Sequence, residues 1–105
     1  MTRHQQTGRS LQQHRTALPA AEVLASARDF FSRGSGIYSA FLEKAGPNWM
    51  SLRGQGGEEI VIAATSDGGS TAVSASSYMF DAQVAQFLAT LPPAASAASA
   101  AGAVA

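Results

Sequence analysis

Between Ile37 and Tyr78 the side chains alternate between two sides in four short runs, and the flanking segments repeat their apolar residues at three- and four-residue spacing. The first run, Ile37 to Lys44, predicts a strand. It ends at Ala45-Gly46-Pro47-Asn48, where proline fixes φ and asparagine tolerates a left-handed conformation, so a chain reversal is expected. Trp49 to Arg53 predicts the second strand and Gly54-Gln55-Gly56-Gly57 a loop. Glu58 to Thr65 predicts the third, carried by the strong strand formers Ile60, Val61 and Ile62. Asp67-Gly68 is a hairpin signal, and Ser70 to Tyr78 predicts the fourth strand. Connections this short permit only antiparallel neighbours.

Before this stretch, Ala20, Val23, Leu24, Ala27, Phe30 and Phe31 form one apolar stripe, predicting a helix from Pro19 to about Arg33 that Gly34-Ser35-Gly36 ends. After it, Val84, Phe87, Leu88 and Leu91 predict a second helix, with Asp81 as its N-cap and Pro92-Pro93 as its stop. The expected fold class is α+β: helix, four-stranded antiparallel meander, helix, with both helices on one sheet face. Residues 18–93 are read as the single domain. Residues 1–17 are read as a disordered basic tail and 94–105 as a disordered Ala/Ser-rich tail, and both tails are expected to be dispensable.

Charge and composition narrow the function classes. The formal net charge is zero, but Arg3, Arg9 and Arg15 precede any acid, while Pro19 to Pro93 holds four basic and seven acidic residues. A mildly acidic body is poorly suited to gripping phosphate backbones, so no nucleic-acid partner is expected. No apolar run reaches the ~18 residues of a membrane span. The N-terminal stretch lacks the apolar segment of a secretory signal, and it offers little apolar face for a transit peptide. The chain has no cysteine, hence no thiolate nucleophile and no cysteine metal site; a reducing compartment fits, and the expected location is the cytoplasm.

Catalytic chemistry finds no constellation. His4 and His14 fall in the expected tail. Adjacent Glu58 and Glu59 must point to opposite faces of a strand and cannot work as an acid/base pair. Asp67 and Asp81 are expected at a turn and a cap, while Glu43 is within reach of Arg53 or Lys44. The Gly54-x-Gly56-Gly57 loop leads into a strand rather than a helix, which removes the helix dipole that phosphate loops use. No enzymatic activity, cofactor or metal is expected.

Period two divides the sheet. Met50, Leu52, Ile60, Ile62 and Ala64 are expected beneath the helices, and Trp49, Ser51, Arg53, Glu59, Val61, Ala63 and Thr65 on the opposite face. Small residues on that second face permit close approach of another surface, and tryptophan and arginine are frequent interface anchors, so Trp49, Arg53, Ser51, Val61 and Ala63 are the candidate binding residues. The expected function is a small non-enzymatic binding or protein-interaction module that self-associates, with a homo-oligomer or a protein as partner. The order of elements from about Pro19 to Leu91 also resembles a reduced version of the helix-grip architecture of START-like domains. That resemblance implies the alternative, a carrier holding a small apolar ligand between the sheet and the C-terminal helix. An enzyme of unknown class stands third.

Overall fold

A computed structural model describes residues 9–34 and 39–94. In chain order they form β1 (Arg9–Thr16), α1 (Ala20–Ser32), β2 (Ala40–Ala45), β3 (Trp49–Gly54), β4 (Glu59–Asp67), β5 (Ser70–Tyr78) and α2 (Asp81–Thr90). All strands join one antiparallel sheet in the order β1-β5-β4-β3-β2. The class is therefore α+β, but with five strands rather than four, and the sheet is not a simple meander because β1 lies beside β5, the last strand.

β1 corrects the reading of residues 1–17 as a tail. Arg9 to Thr16 pairs along its whole length with Tyr78 to Thr71. Residues 1–8, with Arg3 and His4, and 95–105 lie outside the described residues, as do Ile37 and Tyr38 of the predicted first strand, which starts at Ala40 instead. Bringing Arg9 and Arg15 into the sheet raises the basic side chains of the folded part from four to six against seven acids. The mild acidity expected of the body nearly disappears.

The helix boundaries follow backbone chemistry. Pro19 is the cap of α1 rather than its first residue, and its carbonyl accepts the N–H groups of Glu22 at 2.9 Å and Val23 at 3.0 Å. Phe80, not Asp81, caps α2; Asp81 opens the first turn, where its carboxylate faces the positive end of the helix dipole.

β4 and β5 are joined by two glycines at positive φ, Gly68 at 62° and Gly69 at 90°, with Asp67 paired to Ser70 across them. A two-residue turn of this kind matches the right-handed twist of its strands. Added side-chain atoms at Gly68 would meet open space, so a substitution there costs backbone energy alone. Gly68→Ala is expected to destabilise by about 1–2 kcal/mol, read as a lowered thermal midpoint.

One side of the sheet carries the core. Ile60, Ile62 and Ala64 of β4, Val73 and Ala75 of β5, and Met50 and Leu52 of β3 are buried there against Val23, Ala27 and Phe31 of α1 and Val84, Phe87 and Leu88 of α2. The helices meet through Phe30, Phe31 and Phe87, whose ring centroids lie 5.1–5.7 Å apart in edge-on or tilted arrangements. Phe80, Val84 and Phe87, none more than 1% exposed, fill the space between α2 and the sheet.

Two threonine hydroxyls tie the first and last described segments into this core. Thr16 is fully buried, donates to the Pro92 carbonyl at 2.6 Å and accepts from the Leu18 N–H at 3.2 Å. Thr71 donates to the Leu18 carbonyl at 2.6 Å. The end of β1, the approach to α1, the start of β5 and the segment after α2 are thus held at one corner.

Candidate functional site

The face of the sheet turned away from the helices is built in rows that the strand register fixes. At one end Arg9 stands opposite Tyr78, and Glu59 opposite Arg53, which in turn faces Phe41. The next row runs Leu11, Ser76, Val61, Ser51, Lys44. The third runs Gln13, Ser74, Ala63, Trp49. At the far end lie Arg15, Ala72 and Thr65.

The charges of this face sit mainly in its end rows and satisfy one another. Arg53 donates to Glu43 at 2.6 and 3.2 Å and to the Gly57 carbonyl at 2.8 Å, and lies 3.9 Å from Glu59. The bond to Glu43 holds the guanidinium pKa above its ordinary value; desolvation opposes the rise, and the charges of Glu43 and Glu59 add to it. Arg9 reaches Glu59 at 3.7 Å, and Arg15 pairs with Asp67. The two middle rows are uncharged apart from Lys44 at the β2 edge. Their centre is lined by small side chains, and Gln13, Arg15, Ala63, Thr65, Ala72 and Ser74 border a shallow hollow of about 540 Å³.

The five sequence-predicted residues share this side by register but differ in access. Val61 and Ala63 are half-buried and central. Ser51 is only 3% exposed, and its covered hydroxyl has no partner among the described residues, so it contributes shape rather than contact. Arg53 is exposed but engaged by Glu43. Trp49, at the start of β3, folds its indole over Gly46, placing the ring at the rim between the open face and the edge beside α1. Sequence reasoning missed Leu11, 65% exposed, because it assigned that residue to the tail. Phe41 and Tyr78, 53% and 45% exposed, were within predicted strands but without a partner register to show their face.

The catalytic inventory also moves. His14 stands in β1 rather than in a tail, paired with Val73, and its Nε2 is covered without a hydrogen-bond partner among the described residues. Glu58 caps the loop before β4, its Oε1 accepting the Gly56 N–H at 3.0 Å. Among the described residues no group of three or more His, Asp or Glu side chains is arranged to hold a metal ion, and no helix is long and apolar enough to cross a membrane.

Comparison with family models, curated proteins and solved structures returns no match to this chain. The functional reading therefore rests on the geometry of the face.

Proposed function

We propose that this protein is a non-enzymatic interaction module whose open sheet face stacks on the same face of a second copy. The observation that carries the reading is the layout of that face: two largely neutral rows, with Leu11, Val61, Ala63 and Trp49, between end rows whose arginines are already paired within the chain. Specific interfaces have this anatomy, an uncharged centre with polar groups at the rim. Because Arg9, Arg15 and Arg53 keep their carboxylates, a second surface can approach without leaving those three charges unpaired.

Size supports a second copy as the occupant. Five strands about 4.8 Å apart, with residues rising about 3.3 Å along each, present on the order of 600 Å². Two such faces would bury on the order of 1,200 Å², the lower end for specific complexes. The carrier reading has less support, since Phe80, Val84 and Phe87 occupy the space beneath α2 where the helix-grip resemblance would put a ligand.

The test is sedimentation across a wide dilution series, comparing the natural chain with Ala63→Arg. Ala63 is central and half-buried, and an arginine there would place an unpaired charge in a desolvated contact. The natural chain should move from dimer to monomer on dilution, and the variant should dissociate at roughly tenfold or more higher concentration, a cost of about 1.4 kcal/mol or above. A monomer at every concentration, unaffected by the substitution, would leave the face as ordinary surface.

A further inference from the structure

A second concave site lies at the other side of the β2–β3 hairpin. Along α1, Leu24, Arg28 and Ser32 recur at four-residue spacing, so they form one ridge facing the hairpin. Between that ridge and Leu42, Trp49 and Met50 runs a cleft of about 480 Å³, within the range of small-molecule sites. Its walls are aliphatic and aromatic. Leu42 and Trp49, each 36% exposed, are two of the large apolar side chains that the fold leaves in contact with water.

The charge at the mouth of this cleft is specific. Of the five described arginines, Arg9, Arg15, Arg33 and Arg53 each pair with a carboxylate, whereas no ion pair or side-chain hydrogen bond engages Arg28 among the described residues. Asp29, beside it, is held by Arg33 at 3.0 Å and so does not compensate Arg28. An apolar trough with one uncompensated guanidinium at its edge is complementary to an apolar body ending in a single negative charge.

We propose that the cleft between α1 and the β2–β3 hairpin binds a free amphiphilic monocarboxylate, of the medium-chain fatty acid type. The aliphatic chain lies along Leu24, Leu42 and Met50 against the indole of Trp49, and the carboxylate is received by Arg28. Arginine suits this role because its planar fork can bond both carboxylate oxygens. The indole is seated by a glycine: a Cβ on Gly46 would collide with the Trp49 indole. Gly46 also donates its N–H to the Trp49 carbonyl at 2.9 Å, which holds the turn closed beneath the ring. The site goes beyond the self-association reading and opens on the other side of the hairpin, sharing with the stacking face Trp49 at the rim.

The experiment is calorimetric titration with sodium decanoate, and separately with decanol, below the concentrations at which either aggregates. Emission of Trp49, the single tryptophan, is followed in parallel. Decanoate should bind saturably, one per chain, and roughly tenfold tighter than decanol, the effect of one charge-assisted contact. Arg28→Gln, at an exposed position, should leave the melting profile unchanged and abolish the preference for the acid. Gly46→Ala should displace the indole, changing its emission before ligand is added and weakening both ligands together. Decanoate binding should persist in Ser74→Arg, which lies on the stacking face one strand further from Trp49 and so separates the two sites. Unsaturable binding, equal affinity for acid and alcohol, an acid preference that survives Arg28→Gln, or loss of binding in Ser74→Arg would each overturn the proposal.

Discussion

Removing Met1 to Thr16 is expected to abolish the folded state. β1 pairs with β5 over eight residues, from Arg9 opposite Tyr78 to Thr16 opposite Thr71. At about 0.5–1.5 kcal/mol net for each ladder hydrogen bond, several such bonds already approach the ~5–15 kcal/mol that holds a domain of this kind together. The deletion also takes away the Thr16 hydroxyl, which joins Pro92 to Leu18, and with it both of those hydrogen bonds. Circular dichroism and thermal melting of residues 17–105 should show a chain without a cooperative transition. A milder change isolates the corner: Thr16→Val keeps the side-chain shape and should cost about 1–3 kcal/mol, the net worth of the two hydrogen bonds its hydroxyl makes. A truncated chain that melts like the whole would mean that β1 adds nothing to stability.

The second large effect is expected at Phe87. Its side chain is fully buried, with ring contacts to Phe30 at 5.6 Å and Phe31 at 5.7 Å, so it joins α2 both to the sheet and to α1. Phe87→Ala should destabilise by about 3–5 kcal/mol, combining lost transfer energy with the cavity left behind. In a chain of this size that lowers the thermal midpoint by more than about 12 °C. Gln86→Ala, one residue away and exposed, should be nearly silent. An unchanged midpoint for Phe87→Ala would contradict the packing of α2 described above.

What could be read from the chain, and what could not, follows from how each element earns its place. β3, β4 and β5 were legible because one of their faces is buried, and burial imposes a period of two on Met50, Leu52, Ile60, Ile62 and Ala64. The hairpin between β4 and β5 was legible because its turn needs positive φ at Gly68 and Gly69. β1 was not. Its sequence, RSLQQHRT, has polar residues on both sides and a single large aliphatic, Leu11, which points away from the core. An edge strand is held through its backbone and needs no apolar alternation, so hydropathy is silent about it. A faint signal lay in its charges, since Arg9 and Arg15 find Glu59 and Asp67, but such pairings are invisible without the fold.

The candidate face was half legible for the same reason. Alternation placed Val61, Ala63, Ser51 and Arg53 on one side, and the reach of Glu43 to Arg53 was foreseeable from the hairpin between them. The contribution of Leu11 required β1. The position of the Trp49 indole depended on the absence of a side chain at Gly46, a packing detail that period two does not encode. Arg28 looked like ordinary helix surface, and what distinguishes it is that the other described arginines found carboxylates in the folded chain.

The stacking of the open face on a second copy is tested most directly by methyl NMR spectra recorded over a dilution series. The methyl signals of Leu11, Val61, Ala63 and Ala72 should shift together with concentration, while those of Ile62 and Val84, buried on the covered side, stay fixed. Spectra in which no methyl moves, or in which only the cleft residues Leu24, Leu42 and Met50 respond to concentration, would contradict the proposed interface.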